Sequence, residues 1–401
     1  MNYSVLIPYL MARACMSLTN TMLSVAIGWH LYKLTGNPFD LAMVGLVQII
    51  PMLLLFMVTG WVVDHFSRKR ILVICALLET LILLFLASAM HTQDFDKYTI
   101  FTLLFIHGCS RAFFGPAQQA ILPNIVSREA LAQAVAITST VWNVASTSGP
   151  FIAGLLLAWI DKDTYWVLGG LGFTGTVLFL TLPAISHVQP TARGLAQLLG
   201  GIQFIKNNPI VLGSISLDMF AVLAGSVMAL LPIYALDILH VGPDALGVLR
   251  GMPALGAVMV GLVMAKIPMR NTGPSLFIAL VVFALSIVLF AYSTVFWLSL
   301  VALWVYGAAD MVSVNIRSTL IQIATPDDLR GRVSAVNSIF IATSNKMGDF
   351  RAGSVATILS PVATVALGGL MALIVAVGGC YLFPTIRKLD KLDDIDAESR
   401  Q

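Results

Sequence analysis

The stretch Gly60-Trp61-Val62-Val63-Asp64-His65-Phe66-Ser67-Arg68-Lys69-Arg70 joins two long apolar segments of the chain, residues 40–63 and 71–90. Each segment has about the 20 apolar residues that a helix needs to cross the hydrocarbon core of a bilayer. The basic run at the end of the stretch is typical of short cytoplasmic loops in membrane proteins. The stretch therefore predicts two membrane-spanning helices joined by a cytoplasmic turn.

The composition of the whole chain agrees with this local prediction. Of its 401 residues, 58% are hydrophobic and 11% are charged, and the mean hydropathy is +0.90. A soluble domain has roughly a quarter of its residues charged, so the composition excludes an ordinary soluble enzyme. The first apolar segment has no basic region before it and no small-residue cleavage site, so we expect it to be retained as a span.

Windows of similar length and apolar content recur along the chain, and they predict an all-α integral membrane protein with twelve transmembrane helices. The windows are 5–32, 40–63, 71–90, 98–120, 131–159, 164–185, 209–235, 244–266, 273–293, 295–322, 333–358 and 361–385.

The basic residues of the loops predict the orientation of these spans. If both termini are cytoplasmic, only Lys33, Lys97 and Lys162 lie outside. The inside residues would be Arg68, Lys69, Arg70, Arg128, Arg193, Lys206, Lys266, Arg270, Arg330, Arg332, Arg387, Lys388, Lys391 and Arg400. Fourteen basic residues inside against three outside is a strong bias, which places both termini in the cytoplasm.

A polar segment divides the chain into two halves that resemble each other. The pattern Gly45-x-x-Gln48-x-x-Pro51 recurs as Gly247-x-x-Arg250-x-x-Pro253, and Gly149 and Gly154 recur as Gly348 and Gly353. We therefore predict a six-helix bundle at 1–185, a cytoplasmic linker with an amphipathic helix at 186–208, a second six-helix bundle at 209–386 and a cytoplasmic tail at 387–401. Two pseudo-symmetric bundles of this kind place a substrate path between them.

Several motifs make a family resemblance specific, and it covers essentially the whole chain. They are Gly60–Arg70, Trp29-x-x-Tyr32-x-Leu34-Thr35-Gly36-Asn37-Pro38, Arg111–Gln118, Asp310–Arg317 and Asp328–Ser338. Together they resemble the drug:H+ antiporter branch of the major facilitator superfamily that includes the enterobactin exporter family. The resemblance implies a major facilitator fold and proton-coupled secondary transport.

The resemblance also suggests roles for two motifs. Gly60, Asp64, Arg68 and Arg70 would form a cytoplasmic latch that holds one state shut, although the same loop could be only a topology-setting basic turn. In the fifth span, Gly149, Pro150 and Gly154 resemble a motif typical of antiporters. A packing role alone is an equal alternative there, because glycine lets helices approach closely and proline permits a kink.

Charged residues inside the predicted spans are the costliest feature of the sequence. They are Arg13, Glu79, Arg111, Asp218, Arg250, Asp310, Arg317, Lys346, Asp349 and Arg351. Each costs roughly 2.5–3.5 kcal/mol at the centre of a membrane helix, so these side chains must pair or face a water-filled cavity. We expect Arg351 and Arg317, which lie near span ends, to extend towards the membrane surface.

These charges supply the candidate site. We expect the substrate cavity to include Arg13, Arg111, Asp218, Arg250, Asp310, Lys346 and Asp349. The candidates for proton coupling are Asp218, Asp310, Glu79 and Arg111, the last by resemblance to the family's span-4 arginine. Asp218 is preferred over Asp310 because no cation shares its helix. Lys346 could neutralise Asp349, which lies three residues further along the same predicted helix.

The sequence predicts no enzyme activity, no cofactor and no metal site. It lacks a phosphate-binding loop of the form GxxxxGK[ST], and its histidines are scattered. We expect a monomer in the bacterial inner membrane that binds a small molecule, protons and lipid but no nucleic acid. The expected function is proton-coupled export of a small amphipathic or siderophore-like molecule by alternating access. The alternatives are an importer of a siderophore, lysolipid or nutrient, and a metal-ion carrier.

Overall fold

The structure is a computed structural model that describes residues 3–92, 96–183, 195–266 and 271–389. Within these ranges the chain is almost entirely helical and contains no β-strand. The all-α class is therefore confirmed.

The first part of the chain forms six long helices. They are α1 (Tyr3–Thr35), α2 (Pro38–His65), α3 (Arg68–Ala89), α4 (Lys97–Ile125), α5 (Leu131–Ile160) and α6 (Thr164–Thr181). The side chain of Asn37 caps α2 by accepting from the backbone N–H of Phe39 at 2.9 Å. Asp96 caps α4 in the same way, at 2.8 Å from the N–H of Thr99. These caps satisfy backbone donors that the first turn of a helix leaves without partners.

The second part of the chain contains both long and short helices. They are α7 (Leu195–Asn207), α8 (Pro209–Gly225), α9 (Leu231–Ile233), α10 (Pro243–Met264), α11 (Thr272–Ala291), α12 (Phe296–Ile323), α13 (Asp327–Val355), α14 (Pro361–Leu382) and α15 (Pro384–Arg387). Asn208 caps α8 through the N–H groups of Ile210 and Val211, both at 3.1 Å.

The seventh predicted span, 209–235, is not one continuous helix. After α8 ends at Gly225, the chain forms a 3₁₀ turn at Met228–Leu230, then α9, then a π-helical turn at Tyr234–Ile238. The break begins at Ser226, whose backbone is extended. Further along, Pro232 has no backbone N–H and so cannot donate a helical bond to the carbonyl of Met228. The sequence therefore predicted a span here but not the break within it.

Ten stretches of the described residues are long and apolar enough to cross a membrane. One of them, Leu131–Thr181, contains two helices, α5 and α6, with a 3₁₀ turn between them. Helix α13 is not among the ten, although its 29 residues are long enough for a span, because it is rich in charged and polar residues. The number twelve is thus supported by helix lengths, while the transmembrane placement of α13 stays a prediction.

The described residues pack as two compact units, and each has its own apolar core. The first unit comprises residues from Met1–Arg193 together with Val241–Gly251, so the beginning of α10 belongs to it. Its core gathers side chains such as Tyr9, Phe114 and Phe179. The second unit comprises residues from Gly194–His240 and Met252–Gln401, and its two clusters join α8 to α11, α12, α14 and the helices around them.

The predicted domain boundaries stay predictions. Helix α7 lies within the linker predicted at 186–208, whereas 186–194 and most of the predicted tail, 390–401, lie outside the described residues.

Candidate transport site

Glu79 and Arg111 come together in the first unit. The carboxyl of Glu79 on α3 is 1% exposed, and its Oε1 atom lies 3.4 Å from the Ser110 Oγ that donates to it. The charge of Arg111 on α4 also acts on Glu79. The guanidinium carbon of Arg111 lies 5.4 Å from the ring centroid of Phe114, which is within range of a cation–π contact. Glu79 is thus held by a hydroxyl and a nearby cation.

Arg13 on α1 lies within electrostatic reach of the Tyr9 hydroxyl, one turn before it on the same helix. Tyr9 in turn donates to the backbone carbonyl of Gln118 on α4, at 2.9 Å. The Nε atom of Arg13 is buried and has no hydrogen-bond partner among the described residues. A buried guanidinium donor without an acceptor is costly, and such a group is a candidate for binding a substrate oxygen.

The antiporter-like motif of α5 lies where helices of the first unit cross closely. A Cβ atom at Gly149 would overlap the Thr21 side chain of α1, and one at Gly154 would lie 2.8 Å from the Cα of Gly247 on α10. Both glycines therefore have a packing role. Packing was one of the two interpretations of this motif, and a role typical of antiporters was the other. Nearby, Arg250 Nη2 donates to Ser24 Oγ at 2.6 Å.

In the Gly60–Arg70 loop, basic side chains bind backbone carbonyls of the first unit. Arg68 Nη1 donates to the carbonyl of Ala120 at 3.1 Å, and Lys69 donates to the carbonyl of Leu182. Within the described chain, Asp64 has neither a hydrogen bond nor an ion pair. A Cβ atom at Gly60 would meet no atom within 4 Å, so close helix packing does not explain this glycine in the structure.

We expect Asp64→Asn to slow transport far more than it weakens substrate binding, because the proposed role of the loop is in the exchange between states. Binding to purified protein and initial transport rates would be measured side by side. Asp327→Asn, which changes an exposed aspartate on α13, serves as a control. If Asp64→Asn transports normally and reaches all conformations in spectroscopic distance measurements, the loop is only a topology signal.

In the second unit, Asp218 on α8 forms an ion pair with Arg317 on α12. The two side chains are 13% and 5% exposed, so the pair is largely buried. Arg317 also donates to the carbonyl of Ser313 at 3.2 Å. The expectation that Arg317 extends to the membrane surface is wrong. No cation shares the helix of Asp218, as the sequence indicates, but a cation from another helix pairs with it.

Asp310 differs from Asp218. It lies on α12, and no described residue forms a hydrogen bond or an ion pair with its carboxyl. Its charge and that of Asp349 on α13 both act on the hydroxyl of Tyr306, one turn before Asp310. Asp349 accepts a hydrogen bond from Ser226 Oγ at 2.5 Å. Neutralisation of Asp349 by Lys346 stays a prediction.

Arg351 binds the end of α8, and its extension towards the membrane surface stays a prediction. Its Nε and Nη2 atoms donate to the carbonyls of Leu223 and Ala224, at 3.0 and 2.6 Å. Sequence analysis missed this contact and the role of Ser226, since both depend on where α8 stops. Pro232 was the available signal for a discontinuity, although it does not indicate the residue at which the helix ends.

A cluster of polar groups at the α5–α6 turn was also missed. His30 Nε2 on α1 lies 3.0 Å from Asp161 Oδ1, and its Nδ1 lies 3.2 Å from the hydroxyl of Tyr165. His91 Nε2 lies 3.0 Å from Asp163 Oδ1. In the described part of the chain, no three His, Cys, Asp or Glu side chains come close enough to hold a metal ion.

Comparisons with protein families and with known proteins identify relatives of the chain. Residues 6–401 match the family described as transmembrane secretion effector. Enterobactin exporters from Escherichia coli O1:K1 and from Shigella dysenteriae serotype 1 are each 27% identical to the chain over 362 residues. Each match covers 89% of this chain and 86% of the relative.

Solved transporter structures share the fold. The nucleoside transporter NupG superposes with a TM-score of 0.72 at 14% identity, covering 97% of this chain and all of the other. A bacterial homologue of the human lysosomal transporter Spinster gives 0.71 at 13% identity, with 96% of each chain covered. The family and these relatives are membrane transporters and not enzymes, and the chain is a multi-pass membrane protein. Because the family match covers nearly the whole sequence, the chain belongs to the transmembrane secretion effector family of major facilitator superfamily transporters.

Proposed function

We propose that the protein is a proton-driven exporter that carries a small amphipathic, siderophore-like molecule out of the cytoplasm by alternating access. The observation that carries the proposal is the match to enterobactin exporters over 89% of the chain, since those relatives are named for exporting enterobactin. The protein acts as a monomer in the bacterial inner membrane.

Asp310 is the proposed proton carrier. Burial in apolar surroundings disfavours the charged form of a carboxyl, whereas a nearby cation favours it. Asp218 has such a cation in Arg317, and Glu79 lies near Arg111. Asp310 has no such pairing among the described residues and is thus the acid most able to change its protonation as its surroundings change. The structure therefore supports a different order of candidates from the one that the sequence favoured.

The charges of the first unit support a substrate with an anionic or acceptor-rich part. Arg13, Arg111 and Arg250 carry positive charge within helices of this unit. Of the acids in its long helices, Glu79 lies near the middle of α3, whereas Asp40, Asp64 and Asp244 lie at helix ends. Arginine presents a planar fork of donors that suits carboxylate and similar oxygens. We propose that Arg13, whose Nε atom is buried without an acceptor, contacts the substrate most directly.

The orientation is also part of the proposal: both termini and the segment before α8 face the cytoplasm. The support is the excess of basic residues in the loops on that side. We expect a cysteine introduced after Arg387 to resist a membrane-impermeant thiol reagent in intact cells and to react after the cells are opened. A cysteine at Lys162 is the matched control, and it should react in intact cells. Labelling of the tail in intact cells would contradict the orientation.

Export itself is tested by comparing small molecules inside and outside cells that have or lack the protein. We expect one amphipathic metabolite to be retained in cells without the protein and to appear outside when it is present. Cells that make Arg13→Ala are expected to resemble cells without the protein. A metabolite that enters the cells only when the protein is present would instead establish import, and an unchanged distribution would contradict the proposal.

A further inference from the structure

The break in the seventh predicted span has a defined geometry. Helix α8 ends at Gly225, and Ser226 has an extended backbone with φ −63° and ψ 126°. Regular hydrogen bonding resumes only at the 3₁₀ turn Met228–Leu230. The last carbonyls of a helix have no intrahelical donor, and the end of the helix carries partial negative charge. A helix that ends inside a membrane protein therefore needs donors from elsewhere.

Arg351 on α13 supplies those donors. Its Nε atom donates to the Leu223 carbonyl at 3.0 Å, and its Nη2 atom donates to the Ala224 carbonyl at 2.6 Å. One planar guanidinium thus satisfies two successive carbonyls at the negative end of α8. Arginine suits this position because its donors have a fixed fork geometry and because it keeps its charge at all physiological pH values.

Neighbouring residues of α13 and α14 fit closely around the same break. Asp349 accepts from Ser226 Oγ at 2.5 Å. A Cβ atom at Gly348 would lie 2.9 Å from the Ser226 Cβ, and one at Gly368 on α14 would lie 2.6 Å from the Ala224 carbonyl oxygen. The two glycines therefore allow α13 and α14 to approach the end of α8, where Arg351 and Asp349 hold it.

We propose that the end of α8 is a cation site that the protein fills with its own side chain, the guanidinium of Arg351. Broken spans in other transporter folds use unwound carbonyls and helix C-termini to bind a coupling cation. Here the guanidinium of Arg351 stabilises the break by binding the last carbonyls of α8. Asp349 holds Ser226, the residue that directly follows α8. Removing the side chain leaves a site that binds a free guanidinium ion. The apolar groove that Arg351 borders, between Phe220 and Met371, provides space beside the site.

The test is hydrogen–deuterium exchange of the purified full-length protein, followed at residues 222–230. In Arg351→Ala we expect exchange there to be about tenfold faster than in the unaltered protein, because the carbonyls and the break lose their anchor. Millimolar guanidinium chloride should restore slow exchange, whereas sodium chloride of equal concentration should not. Arg387→Ala, which removes an exposed arginine, should neither change exchange at 222–230 nor respond to guanidinium.

Three results would overturn the proposal: unaltered exchange in Arg351→Ala, faster exchange that guanidinium does not slow, or equal restoration by sodium. Arg351→Lys keeps a charge but loses the fork, and we expect intermediate exchange. If neither Arg351 variant can be purified, exchange at 222–230 is measured in Ser226→Ala instead. This variant removes only the hydroxyl that donates to Asp349. Wild-type exchange at 222–230 in that variant would contradict the proposed anchoring.

Discussion

Replacing Asp310 by asparagine is expected to abolish the uphill accumulation of substrate while downhill exchange survives. Asparagine keeps the shape of the side chain but can neither bind nor release a proton, so the coupled step is lost and the carrier step is retained. Accumulation under an imposed pH gradient and exchange without a gradient would be measured in proteoliposomes. The effect should be close to complete, because Glu79, Asp218 and Asp349, the other acids named above as charges inside the spans, each have an ion pair or a hydrogen bond.

Two variants control this experiment. Asp310→Glu retains a carboxyl at nearly the same position and should keep part of the accumulation. Asp327→Asn changes an exposed aspartate at the start of α13 and should behave as the unaltered protein. If Asp310→Asn still concentrates substrate under a pH gradient, either another group carries the proton or the transport is not proton-driven.

Replacing Asp218 by asparagine is expected to destabilise the protein rather than to uncouple it. The Arg317 side chain, 5% exposed, would lose the carboxylate that neutralises it. Removing one partner of a buried ion pair costs about 3–5 kcal/mol of unfolding free energy. Denaturation of the detergent-purified protein, followed by loss of tertiary signal, would measure this cost.

The pair itself is isolated by a double-mutant cycle. Asp218→Asn combined with Arg317→Gln removes both charges and should recover most of the lost stability, since no uncompensated charge remains. A single Asp218→Asn variant as stable as the unaltered protein would contradict the assignment of Asp218 to a structural pair. If that stable variant also failed to accumulate substrate, Asp218 would replace Asp310 as the proposed proton carrier.

The apolar windows predicted where most helices lie but not where they end. The second window, 40–63, corresponds to α2, which begins at Pro38 and continues through Asp64 to His65. Its start depends on the Asn37 cap and on the proline that follows it, which a hydropathy window does not register. The last turn of α2 stays helical although Asp64 and His65 are polar, because polar side chains at a membrane surface can be solvated.

The break in the seventh span shows a second limit of apolar windows, which do not detect an interruption within a span. An apolar window averages over 20 residues, and the stretch from Pro209 to Ile238 is apolar enough on average to cross a membrane. The discontinuity begins at Ser226, where the backbone is extended, and partners from α13 receive the end of α8. Those partners lie on another helix and are not visible in the local sequence, in which Pro232 lies six residues beyond Ser226.

The sequence predicted which charged residues belong to the candidate site, but not which of them form ion pairs. Spacing along one helix could suggest Lys346 with Asp349 or Asp310 with Arg317, because residues on one face recur every three to four positions. The pair that forms, Asp218 with Arg317, joins α8 to α12. Such contacts between helices depend on packing, and for this reason we propose Asp310 rather than Asp218 as the proton carrier.

We propose that substrate movement is coupled to the opposite movement of protons. The most direct measurement places the purified full-length protein in liposomes that contain a pH-sensitive dye and adds the exported metabolite to one side. We predict that metabolite moving across the membrane drives protons in the opposite direction, and that Asp310→Asn moves the metabolite downhill without the proton signal. Metabolite transport by the unaltered protein with no proton movement, or with protons moving in the same direction, would contradict proton-driven export.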